Sequence, residues 1–146
     1  MNKLILIVFY FIAASFTKWE PDFATALQTA KEKHCLILLN FSGSDWCGPC
    51  IRMRKEIFEN DIFLKMSDDN LVLVNADFPR NKKHQLSKSL ITQNEMLADK
   101  YNSNGLFPCT LLINTEGKVI KVWNGLPNEN AAEFTTEIKA ICDANK

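Results

Sequence analysis

Residues 35–41, Cys-Leu-Ile-Leu-Leu-Asn-Phe, contain a single strongly polar side chain, Asn40. A run this apolar does not alternate between a wet and a dry face. It predicts a strand covered on both sides, which a parallel sheet with helices on each face provides. The loop Ser42-Gly43-Ser44-Asp45 follows, and then Trp46-Cys47-Gly48-Pro49-Cys50. Two thiols two residues apart thus sit where a buried strand hands over to a helix. The partial positive charge of a helix N-terminus favours a thiolate on the first cysteine. A dithiol placed there opens and closes, which is redox chemistry. An inert structural disulfide and half of a zinc site are the alternatives. Zinc takes four ligands, commonly in pairs. Cys35, Cys109, Cys142, His34 and His84 remain for that purpose, and no two of them form a second pair.

The rest of the chain reads as alternating helices and strands. Trp19-Glu20-Pro21-Asp22 has the proline and acids of a helix start, and Phe23, Ala26, Leu27 and Ala30 form one helical face ending near Lys33. From Cys47 a helix is predicted toward Asn60, with a second segment through Ile62, Phe63 and Leu64. Residues 71–76 form a second buried strand, and residues 78–92, polar and basic, are expected to be an inserted loop with one turn of helix. A short helix over 94–101, a hairpin of strands 110–114 and 119–123 turning at Thr115-Glu116-Gly117, and a last helix from about Asn130 complete the order. Phe134, Ile138 and Ile141 mark the buried face of that last helix. The sum is an α/β chain with a mixed central sheet and helices on both faces.

The length of 146 residues implies one domain able to bury a core without cross-links. Seventeen basic and seventeen acidic residues cancel, which argues against a general attraction to nucleic acid or anionic lipid. The first residues are different in kind. Lys3 precedes an apolar run, and Ala13-x-Ser15 has the small residues of a cleavage site, so residues 1–15 read as a secretory signal and 16–146 as the domain. An uncleaved anchor is the alternative, although a helix over residues 4–16 would span only about 20 Å against a hydrocarbon core of about 30 Å. Export would place the chain in a cell envelope or periplasm, where disulfides persist.

With the dithiol and this element order in place, the chain resembles a thioredoxin over roughly residues 21–142. Pro108 stands where the family keeps a cis-proline beside its sulfurs, and Gly125 matches a glycine that lets substrate backbone approach. Tyr101 also fits the pattern. The lead-in 42–46 and the segment Arg52-Met53-Arg54-Lys55 are more similar to exported thioredoxin-related proteins than to cytosolic ones. The resemblance implies that Cys47 attacks and Cys50 resolves, with Cys47 exposed and Cys50 more buried. It implies support from Trp46, Gly48, Pro49, Phe107, Pro108 and Gly125, and no cofactor or metal. Asn40 aligns with a buried aspartate that helps deprotonate the second cysteine, and the family's lysine partner falls near Leu73. Asn40 cannot titrate, so the Cys50 proton must leave through water, through Asp45, or slowly.

The expected activity is a monomeric thiol–disulfide oxidoreductase of the envelope that reduces disulfide-bearing exported proteins and is recharged by a membrane thiol donor. Gly-Pro between the cysteines resembles the reducing members of the family. An oxidase or isomerase, and a non-catalytic peptide-binding adaptor, are the alternatives. Cys35, Cys109 and Cys142 are expected to pack as small buried hydrophobes, with a Cys35–Cys142 bridge as a lesser option. Arg80, Lys82, Lys83, His84 and Lys88 form a basic cluster, either a solvated face or a dock for an acidic partner. His34 and His84 have no acid or thiol assigned to them.

Overall fold

The computed structural model describes residues 19–146, so the expected signal segment 1–15 lies outside the described residues. The elements are α1 (Phe23–Lys33), β1 (Leu36–Ser42), α2 (Gly48–Met53) continuing into a π-helical turn (Arg54–Phe58), and α3 (Asp61–Asn70). They continue with β2 (Leu71–Asp77), a 3-10 turn (Lys82–His84), α4 (Lys88–Tyr101), β3 (Cys109–Ile113), β4 (Val119–Asn124) and α5 (Ala131–Ala144). No helix among the described residues is long and apolar enough to cross a membrane.

The sheet runs β2-β1-β3-β4. β1 pairs parallel with β2 and antiparallel with β3, and β3 pairs antiparallel with β4, which is the mixed sheet the sequence implies. All seven residues of β1 are buried. Its alternate side chains feed two cores. Leu36 and Leu38 join Met53, Ile57, Phe63, Phe134 and Ile138 under α2, α3 and α5. Ile37, Leu39 and Phe41 join Ala26, Ala30 and Leu97 under α1 and α4. A period of two along one strand thus fills both faces, which is why the run reads as continuously apolar.

Local signals set the helix ends. Asp22 caps α1 by accepting the Thr25 N–H at 2.7 Å, and Asn130 with Glu133 forms a reciprocal capping box on α5. The helix after the dithiol does not run unbroken to Asn60. It widens at residues 54–58, where Glu59 N–H reaches back to Arg54 C=O at 2.8 Å, and both Ile57 and Phe58 are buried.

The segment 78–92 is the main departure from expectation. The single turn is there, at Lys82–His84, but α4 begins at Lys88 rather than Asn94. Ser87 caps it by accepting the Leu90 N–H at 3.3 Å. Serines and threonine along its exposed face disguise the helix, while Leu90, Ile91, Leu97 and Ala98 keep a helical spacing. Buried Asn94 donates to Asp77 C=O at 3.1 Å and so ties α4 to the end of β2.

Candidate active site

Cys47 is the N-cap of α2 and Pro49 stands in its first turn. The two cysteines are joined as a disulfide. Cys47 Sγ accepts the Cys50 N–H at 3.3 Å, so the first sulfur already lies on the unpaired donors of a helix start. Gly48 and Pro49 are exposed between them. The expected contrast in exposure is not present: Cys47 and Cys50 are each 4% exposed.

The Phe107–Pro108 segment packs on the residue before Cys47, with the Phe107 and Trp46 ring centroids 5.5 Å apart. The Phe107–Pro108 bond is cis, as the resemblance implies. Pro108 C=O accepts the Gly125 N–H at 2.8 Å. Gly125 has φ +82°, which L side chains avoid, and a Cβ there would meet nothing within 4 Å. The glycine therefore meets the positive φ of the turn, and the space beside it is open. Among the described residues no hydrogen bond takes the Phe107 N–H or C=O, so a short backbone edge is left unpaired next to Pro108. Tyr101 is not part of this group: its hydroxyl donates to Gly117 C=O at 3.0 Å in the β3–β4 turn.

Trp46 is fixed from several sides. Its indole N–H donates to Phe78 C=O at 2.7 Å, Phe107 meets it edge-on at 5.5 Å, and Phe78 in turn meets Phe107 at 5.6 Å. The Arg80 guanidinium carbon lies 3.8 Å from the ring centroid. Gly43 is required beneath it, because a Cβ there would run into the indole.

Beside Cys50 a cleft of about 500 Å³ is lined by Asn40, Ser42, Ser44 and Asn75, with Phe58 among its apolar walls. Asn40 is 5% exposed, and both its polar side-chain atoms are hydrogen-bonded. Its Nδ2 donates to Asn75 Oδ1 at 2.8 Å, and its Oδ1 accepts from Thr110 Oγ1 at 2.9 Å. Asn75 Nδ2 donates to Ser42 Oγ at 3.0 Å, and Ser42 Oγ reaches Asp77 at 3.2 Å. Asp77 also accepts from the Ser44 N–H at 2.9 Å and from the Ser44 hydroxyl. Leu73 is a core residue paired with Leu38, whereas Asn75 lies directly across from Asn40. An amide pair thus stands where the resemblance leads one to look for a charged pair. Sequence reasoning missed Asn75, Thr110 and Asp77. A polar residue interrupting each of two adjacent buried strands was the available signal, and the β1/β2 register was needed to pair them.

Asp45 faces away from this cleft. It accepts the Arg80 N–H at 2.9 Å and the Asn81 N–H at 2.8 Å, and meets His84 Nδ1 at 3.1 Å. The Arg80 N–H, then Asn81 and His84, hold its carboxyl below the usual carboxylate range. A carboxylate so engaged is a weak base for Cys50, and His84 has an acid partner that its place in the sequence did not reveal.

The other three thiols take no part in the disulfide. Cys35, Cys109 and Cys142 are unbonded, so the lesser option of a Cys35–Cys142 bridge is not realised. Burial pushes the Cys35 and Cys109 thiols up, and burial with Asp143 nearby pushes Cys142 up to about 11.

A family described as thioredoxin-like matches residues 18–113. The chain belongs to the thioredoxin-like family. The disulfide bond reductase DsbH of Chlamydia pneumoniae is 35% identical over 129 residues, covering 88% of this chain and 75% of that protein. The thioredoxin-related protein DsbJ of the same organism is 31% identical over 127 residues, 87% of this chain. This chain spans only 36% of DsbJ's own length. A solved structure of the DsbH oxidoreductase superposes with a TM-score of 0.79 at 30% identity, covering 97% of this thioredoxin-like chain and 95% of that one.

Proposed function

We propose that this thioredoxin-like chain is a protein-disulfide oxidoreductase that works as a reductase in the cell envelope. The observation that carries the proposal is the Cys47–Cys50 pair at the start of α2, with the first sulfur on a helix N–H; the cis-Pro108 bond and the packing of Phe107 on Trp46 support it. The similarity to DsbH, a disulfide bond reductase by name, supports the enzyme class and favours the reducing direction. The apolar segment 4–14 behind Lys3 supports export.

In the reduced protein Cys47 attacks a substrate disulfide as thiolate. A Cys47–substrate disulfide forms and the substrate's other sulfur leaves as thiolate. Cys50, once deprotonated, attacks Cys47 Sγ, closing the ring and releasing the second substrate thiol. Two electrons pass to the substrate, and the oxidised ring is the form seen in the structure. The unpaired Phe107 backbone and the open Gly125 turn offer the substrate a strand edge. Since Asn40 cannot take a proton, that of Cys50 leaves through the polar cleft. A cleft of this size, with amides, hydroxyls and the charged Arg54, Lys55 and Glu59 in its lining, is suited to water. A dithiol donor, here a membrane thiol carrier, restores the pair.

Trapping tests the scheme. Cys50→Ala should accumulate mixed disulfides with envelope proteins and Cys47→Ala should not. Equal trapping by both would end the attacker–resolver assignment, and no trapping by either would favour a peptide-binding adaptor. The redox potential decides direction: a value nearer about −270 mV than about −120 mV supports a reductase, and the reverse an oxidase.

A further inference from the structure

We propose that the turn at residues 79–84 is a substrate-selecting rim that recognises acidic residues flanking the target disulfide. The inference rests on the reading of Cys47 and Cys50 as a disulfide-reducing pair and names the class of protein that pair prefers. The turn is not a free solvated loop. Both Asp45 carboxylate oxygens hold it, taking the Arg80 and Asn81 N–H groups and His84 Nδ1. Phe78 C=O holds it again through the Trp46 indole. Its anchors are thus the two residues immediately before Cys47. The Arg80 guanidinium lies 3.8 Å from the centroid of the Trp46 ring, which puts a positive charge on the residue immediately before Cys47.

The sign of this rim is one-sided although the whole chain is neutral. Its acids are consumed internally. The Asp45 side chain is 10% exposed with both oxygens engaged. Asp77 is taken up by Ser42 and Ser44. Its cations are not consumed. Arg80, Lys82 and Lys83 are exposed, and among the described residues no carboxylate pairs with any of them. An arginine on an indole keeps its full charge. A peptide laid along the Phe107 edge passes Trp46, so its flanking side chains meet this rim. Carboxylates there would be drawn in and lysines repelled.

Each exposed charge pair changes affinity by at most a few-fold, and two or three acting together give about tenfold. The experiment compares disulfide-linked peptides that differ only in carrying two Asp, two Asn or two Lys beside the cysteines. The measured quantity is kcat/KM at about 20 mM and about 500 mM NaCl, where screening differs severalfold. The Asp:Asn ratio should be about 10 at low salt and close to 1 at high salt, with Lys below Asn. Lys82→Glu with Lys83→Glu should bring the low-salt ratio to 1 or below. A ratio of 1 at low salt, or a ratio indifferent to both salt and the double substitution, overturns the proposal.

Reduction of the small uncharged 2-hydroxyethyl disulfide is measured alongside and reports on the dithiol itself. If the protein fails to reduce it, the reductase reading falls. The rim is then judged on the binding of the same peptides with serine in place of cysteine, followed by tryptophan fluorescence. Preferential binding of the Asp peptide upholds the rim and equal binding overturns it.

Discussion

Replacing Asn40 by aspartate exchanges one NH2 for an oxygen at a buried point of the polar cleft. The Asn40 Nδ2 donates to Asn75 Oδ1 at 2.8 Å, while Oδ1 accepts from Thr110 at 2.9 Å. A protonated carboxyl reproduces both bonds. An ionised one sets two acceptors against each other at a site only 5% exposed. Burial and the facing acceptor both raise the pKa of the introduced acid, by about 2–3 units to about 6–7. A folded value above the unfolded one makes the cost of the substitution depend on pH. Near pH 4 the acid is protonated in the folded state and about half ionised in the unfolded chain, so the variant should fall short of the parent by only about 0.5 kcal/mol. Stability then falls by about 1.4 kcal/mol per pH unit, to a deficit of about 3–4 kcal/mol at pH 7. If the Asn75 amide turns over to donate, the shift is about one unit and the deficit about 1.4 kcal/mol. Denaturant melts of both proteins from pH 4 to 8 measure this directly. Stopped-flow reduction of a small disulfide should show the resolving step accelerate by about tenfold or more as pH rises through the new pKa, because Cys50 gains a base. A deficit equal at pH 4 and pH 7, or none with no change in rate, would refute the placement of Asn40 beneath the dithiol.

Three further perturbations probe the surroundings. Gly43→Ala drives a Cβ into the Trp46 indole and should cost about 1–3 kcal/mol in a denaturant melt, with altered tryptophan emission; an unchanged melt and spectrum would mean the indole does not rest on Gly43. Brief alkylation of the reduced protein at pH 7.5 should give one adduct by mass spectrometry, on Cys47, with Cys142 reacting only as pH approaches about 11; faster labelling of Cys50 would reverse the two roles. Asp45→Ala should release the 79–84 turn, seen as faster hydrogen exchange at the Arg80 and Asn81 amides. Because the Asp45 carboxyl is held low, the stabilisation it gives is present above the ordinary carboxylate pKa and is lost as pH falls through the lowered value. Parent and variant exchange should therefore converge in acid, and a difference that persists there would count against the carboxylate as the anchor.

Most of the scaffold was legible because its signals are local. The apolar run before the dithiol became β1 with all seven residues buried, and the Asp22 and Asn130 caps mark helix starts. Pro108 is cis as the resemblance implied, although nothing in its own neighbours demands it. What the sequence concealed depends on which residues face each other across the fold. Asn40 stood out alone in β1, yet its partner emerges only when β2 is set in parallel register and Asn75 falls opposite. The start of α4 was hidden by serines that cap and cover it, and the pairing of His84 with Asp45 spans 39 positions of chain.

The same dependence on register links the two polar systems around the dithiol. β2 carries Asn75 inward to the Asn40 cleft and ends at Asp77, which holds Ser42 and Ser44. The chain then turns outward through Phe78 and Arg80 onto Trp46. On the proposed mechanism one strand end thus lines the exit for the Cys50 proton and sets the rim past which a substrate arrives. Since Asp77 is bound on the cleft side and Asp45 on the rim side, neither carboxylate is free to act as the base that Asn40 replaces. Amides and hydroxyls line the cleft around Cys50, with the charged Arg54, Lys55 and Glu59 also in its wall, while the rim carries unpaired positive charge. That division separates the step that resolves the mixed disulfide from the step that selects the substrate, so substitutions in 79–84 should alter which disulfides are chosen and those at Asn40 how fast each is released.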